Sequence, residues 1–226
     1  MIEIIDNLSQ LLVAMLGCII SGVFYYKSRK QPFFILTCFY GCFMLAGLYW
    51  MLYTILVTDA PPMFYVSEIG WLSSYLFLYL LQYSISDKEE RAFRCSRMYV
   101  AAAVIVFFTL YYISIGSLIY NIIIGGIMLT LTWCSVRGFI YQKKQPGSNK
   151  WQFHLAVIVF VALENCLWLS SYPWVSDTWT NPYFWIDFML DSRYADSGLW
   201  EFFISGQGGI VCIGDKFICG WRTLVW

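Results

Sequence analysis

An all-α, polytopic integral membrane helix bundle is the fold class this sequence predicts, and three observations predict it. The first is composition. Of 226 residues, 60% are hydrophobic and 20% aromatic, against 12% charged, whereas soluble domains carry about 25% charged residues. A water-soluble globule of this size has too little interior to hide so much apolar surface. The second is that the apolar residues form long continuous runs, without the strict alternation of a membrane barrel. The third is that the basic residues between the runs fall in every second loop.

Crossing a bilayer core takes about 20 helical residues. Six runs approach or exceed that length: Leu8–Tyr26, Phe33–Leu56, Trp71–Ile85 with an upstream extension to about Met63, Met98–Ile115, Ser117–Tyr141 and Trp151–Tyr172. In lipid each backbone amide must be satisfied within its own segment, so each run is expected to be a helix. The acidic lead "MIEIIDN" lacks the basic start of a signal peptide, so the first run is expected to stay as a span.

The loops orient the spans. Lys27, Arg29 and Lys30 follow the first run. Lys88, Arg91, Arg94 and Arg97 follow the third, and Arg137, Lys143, Lys144 and Lys150 surround the loop after the fifth. The intervening loops carry no Lys or Arg. The positive-inside rule then places the basic loops in the cytoplasm of a cell and the N-terminus outside.

Beyond the sixth run two readings compete. "NPYFWIDFML" starts a short seventh helix near Pro182, or the chain from there lies at the interface. The expected organisation is a bundle over residues 1–190 and a C-terminal tail, 191–226, to which the sequence assigns no single structure.

The second and sixth spans echo one another. Trp50 leads to Glu68 in 18 positions, and Trp168 leads to Asp187 in 19. A parallel repeat of three helices, joined by the fourth span as linker, would produce this outline.

The stretch Leu45–Leu80 has a span ending in Trp50, an outer loop with Pro61 and Pro62, and a next span that opens on Glu68 and continues "WLSSYLFL". In this it resembles the seven-helix membrane modules at the N-terminus of many bacterial signalling proteins. Cys166–Leu190 is a fainter match. The resemblance implies a sensor for an extracytoplasmic or membrane-borne cue. An output domain is not expected in the stretch after the sixth span, so a separate cytoplasmic signalling protein is the expected partner.

Residues that could carry chemistry are few. Glu164 stands well inside its span, where an isolated ionised acid costs roughly 2.5–3.5 kcal/mol. It is expected either to serve a proton, cation or ligand site, or to make a packing hydrogen bond to the fifth span. Asn165 beside it points about 100° away and can serve a different neighbour. Glu68 and Asp187 would mark the outer ends of the third and seventh spans. With Trp50, Tyr65, Trp168 and Tyr172 they would make an acidic, aromatic outer face suited to a small cationic or amphipathic ligand. The competing reading is an interfacial aromatic belt.

The single histidine, His154, reads as an interfacial or hydrogen-bonded group, without the Cys or His spacing of a metal site. The eight cysteines read as free thiols. Ser117, Asn121 and Gly125 share a face that favours close helix packing. No nucleophile–base set or phosphate-binding glycine loop occurs, so no enzymatic activity, cofactor or metal is expected, and zero net charge argues against nucleic acid as a partner. The leading expectation is a sensor-like or receptor-like module. The alternative is a small solute or cation transporter that uses Glu164 as its coupling acid.

Overall fold

A computed structural model describes residues 2–57, 66–171 and 180–195. Over these residues the chain forms eight helices: α1 (Ile2–Ser28), α2 (Gln31–Val57), α3 (Val66–Ile85), α4 (Lys88–Ala92), α5 (Ser96–Ile115), α6 (Leu118–Gln142), α7 (Lys150–Ser171) and α8 (Pro182–Ala195). No strand occurs among them.

Local chemistry sets several of the boundaries. α1 stops at Arg29, which sits at φ 55°, and Pro32 opens the first turn of α2, where its missing N–H costs nothing. Asn181 caps α8 by accepting the Tyr183 amide at 3.0 Å, with Pro182 at the first helical position. α5 ends at Gly116, whose amide returns to the Tyr112 carbonyl at 2.9 Å. That carbonyl also accepts from the Asn121 side chain at 2.9 Å, tying the start of α6 to the end of α5.

Five helices, α1, α2, α5, α6 and α7, are long and apolar enough to cross a membrane. α3 has 20 residues but carries Glu68, Gln82 and the serines 67, 73, 74 and 84. α8, at 14 residues, is short. The chain is a multi-pass helical membrane protein by composition and by where its apolar surface lies. Leu16, Ile19, Phe107, Leu110 and Ile119 are each more than half exposed, while Asp6, Gln82, Glu90, Glu164 and Asp187 are buried. A soluble protein arranges these two classes the other way round.

The helices close a ring. α1 packs on α2, α2 on α3, α3 on α6, α6 on α7, α7 on α8, and α8 back on α1. α5 packs against α6 outside the ring, and α4 lies on α6. The two triplets, α1–α2–α3 and α6–α7–α8, thus meet through equivalent contacts, α3 with α6 and α8 with α1.

Aromatic rings fill the middle. Tyr75 lies 6.1 Å from Phe43 and 5.8 Å from Phe160, ring centre to ring centre, so α2, α3 and α7 are joined by one stack. Small residues allow the close crossings. A Cβ on Gly17 would stand 2.6 Å from the Tyr40 ring, and one on Gly125 would collide with Thr109 of α5. The packing role expected of Gly125 is therefore met by α5, whereas a Cβ on neighbouring Gly126 would meet open space.

Candidate functional site

Carboxyl groups from three helices gather inside the ring. Glu164 of α7 is 3% exposed, Asp187 of α8 3% and Asp6 of α1 2%. The Tyr75 hydroxyl and the Trp168 indole both lie beside Glu164, and Asp187 lies within range of direct charge repulsion with it. Asp187 in turn meets Asp6 carboxyl to carboxyl, and Gln10 donates to its Oδ1 at 3.3 Å. Two facing carboxylates repel, and the Gln10 amide is the neutral donor beside them. One turn further along α8, the Asp191 Oδ2 accepts a short hydrogen bond from Ser9.

Helical spacing builds this cluster. Asp6, Ser9 and Gln10 stand at i, i+3 and i+4 on α1, and Asp187 and Asp191 at i and i+4 on α8, so each set shares one face. α1 and α8 are ring neighbours, which brings the two faces together. Glu164 reaches the same region because α7 packs on the other side of α8.

Glu164 also lines a cavity of about 20 Å³ between α5, α6 and α7, bounded by Thr109, Asn121, Asn165 and Trp168 among others. That volume suits about one water molecule. It does not suit an organic ligand, which needs about 300 Å³ or more.

The other expected site residues are distributed as follows. Asn165 points away from Glu164. Its amide donates to the Val161 carbonyl at 2.8 Å, and its own carbonyl accepts the Tyr112 hydroxyl at 2.8 Å. This is helix packing. Trp168 stacks against Tyr120 of α6 at 5.7 Å. Trp50 stacks instead on Trp71, across α2 and α3, at 5.5 Å. Glu68 is buried in the first turn of α3. Tyr65 and Tyr172 lie outside the described residues, so the aromatic outer face expected from the sequence is represented here by two patches, one at Trp50 and one at Trp168. In place of a packing partner from the fifth span, the polar groups beside Glu164 are Tyr75 of α3 and Trp168 of its own helix.

A second polar cluster, at the opposite ends of these helices, carries residues that sequence reasoning passed over. Glu90 of α4 is fully buried. Its Oε1 accepts from Ser86 at 2.5 Å and its Oε2 from Gln142 at 2.6 Å. His154 Nε2 stands 3.3 Å from Oε1, with both side chains wholly enclosed. Burial pushes the Glu90 carboxyl up. The adjoining His154, then Gln142 and Ser86, outweigh burial and hold it at about 2, below its ordinary 4.5. Lys150 pairs with Asp87 at 2.9 Å on the solvent side. Gln82 donates a short hydrogen bond to Ser135, linking α3 to α6.

Among the described residues no group of three or more His, Cys, Asp or Glu side chains is arranged to hold a metal ion. Cys18, Cys38, Cys42, Cys95, Cys134 and Cys166 are free thiols. No protein-family model, no curated protein and no solved structure matches the chain.

Proposed function

We propose that this chain is a seven-helix, sensor-like membrane module in which Asp6, Glu164 and Asp187 respond to protons. The supporting observation is the meeting of three buried carboxyl groups from α1, α7 and α8 in one site. Intramembrane acids are costly and cluster on ion or proton paths. Here α3 and α8 serve as the sixth and seventh spans, and the positive-inside pattern puts the start of α1 and the carboxyl cluster on the outer side of a cell membrane. The one-water cavity beside Glu164 favours a proton over an organic ligand.

Sensing is favoured over transport by the aromatic stack of Phe43, Tyr75 and Phe160, which fills the ring beside Glu164. In the sensing reading, changed charge at the cluster shifts α7 and α8 relative to α1, and a separate cytoplasmic protein reads the shift. The test is infrared difference spectroscopy of the protein in nanodiscs, titrated with acid. The expected result is a carboxyl-stretch change that Glu164→Gln and Asp187→Asn each diminish. A spectrum unaltered by both substitutions would overturn the reading. Proton-coupled uptake into loaded proteoliposomes that Glu164→Gln abolishes would replace sensing with transport.

A further inference from the structure

We propose that the buried pair of His154 and Glu90 is a proton-operated latch that holds α4 against α6 and α7. α4 has five residues, far fewer than a helix needs to persist alone. It is helical because it is seated. The Arg91 amide bonds the Asp87 carbonyl at 3.0 Å and the Phe93 amide bonds that of Glu89 at 3.1 Å, while Glu90 anchors the turn inward on Ser86, Gln142 and His154.

The histidine cannot turn aside. Its ring lies on Gly138 of α6, so close that a Cβ there would collide with it. Its Nδ1 finds no hydrogen-bond partner among the described residues, and its Nε2 faces Glu90 at ion-pair distance without the alignment of a hydrogen bond. Charge is therefore what this imidazole offers. With a proton it neutralises the buried carboxylate. Without one, the carboxylate keeps two neutral donors and an uncompensated charge, the condition under which a buried ion pair becomes strongly destabilising. Hydration of Glu90 then requires α4 to leave its seat.

The neighbouring charges leave this role to His154. On α7 itself, Lys150 is engaged with Asp87 at the exposed rim at 2.9 Å. On α6, Arg137 donates to the Arg91 carbonyl at 3.2 Å and lies 3.7 Å from the Cys134 sulfur. Beyond α4, Arg94 folds back on the Arg91 and Phe93 carbonyls at 2.9 Å. α3 and its end contribute neutral Gln82 and Ser86. Imidazole is the side-chain type that changes charge between pH 5 and 8. The latch does not depend on what the carboxyl cluster binds.

The test is hydrogen exchange of the 88–93 amides in the full chain in detergent micelles. Rates are compared at pH 6 and pH 8 after correction for intrinsic base catalysis, with residues 157–163 of α7 as an internal reference. The expected result is exchange about tenfold or more faster at pH 8 in α4 alone, in the wild type and equally in Cys134→Ser. His154→Gln should exchange fast at both pH values, and the double variant Glu90→Gln/His154→Gln slowly at both. Equal corrected rates in the wild type, or a pH dependence that survives His154→Gln, would overturn the latch.

Discussion

Asp6 and Asp187, near opposite ends of the described chain, meet carboxyl to carboxyl inside the bundle. The contact joins α1 to α8 and closes the ring of described helices.

This contact predicts the effect of replacing one of the two acids. Asp6→Asn puts an amide donor opposite Asp187, whereas Asp6→Leu leaves that buried acid short of a polar partner, at a cost of about 1–3 kcal/mol. Thermal unfolding in detergent at one neutral pH should therefore show Asp6→Asn at least as stable as the wild type and Asp6→Leu less stable than both. Asp6→Leu as stable as Asp6→Asn would count against the contact.

Tyr75 is predicted to matter through its hydroxyl. Tyr75→Phe keeps the ring contacts with Phe43 and Phe160 but removes the hydroxyl beside buried Glu164. Leaving a buried acceptor short of a partner costs about 1–3 kcal/mol. Tyr75→Phe should lower the melting temperature, and Tyr75→Phe/Glu164→Leu should recover part of the loss. A double variant less stable than both single variants would contradict this account.

Two glycines on α6 give a controlled comparison. Gly138→Ala drives a methyl group into the His154 ring, whereas Gly126→Ala meets nothing within 4 Å. Overpacking costs about 1–3 kcal/mol, while alanine in an open helix interior gains about 0.5–1 kcal/mol over glycine. Melting temperatures of the two variants should move in opposite directions. A shift of the same sign in both would show that the α6–α7 approach is looser than the ring geometry implies.

Much of this architecture was legible because lipid writes a simple pattern. α2, α5, α6 and α7 begin and end within a few residues of the apolar runs Phe33–Leu56, Met98–Ile115, Ser117–Tyr141 and Trp151–Tyr172. Glu164 stood out as a lone carboxyl in such a run. The acids it meets did not. Asp6 reads as part of a polar lead, yet α1 starts at Ile2 and carries it inside the bundle. Asp191 reads as one of several crowded charges in the tail. Only the packing of α1 on α8, which no local pattern encodes, shows that their faces match. Glu90 was hidden for a similar reason. In "DKEER" it is indistinguishable from exposed Glu89 until α4 docks and turns one glutamate inward.

Glu90 yields the last prediction, with the sign set by its depressed carboxyl. A carboxylate held at about 2 in the folded protein, below its ordinary 4.5, takes up a proton more readily once unfolded. With His154 protonated, its stabilising contribution is therefore complete above about pH 4.5 and disappears as pH falls toward 2. Glu90→Gln removes that contribution at every pH. Melting curves of wild type and Glu90→Gln in detergent should be well separated at pH 6, with the wild type the more stable, and should converge as the pH is lowered through that window. A gap that persists undiminished at the acid end would mean that Glu90 acts through shape and neutral hydrogen bonds. A gap that opens only on acidification would reverse the sign, because it requires the folded protein to bind the proton more tightly than the unfolded chain. Either result would contradict the close approach of His154 as the cause.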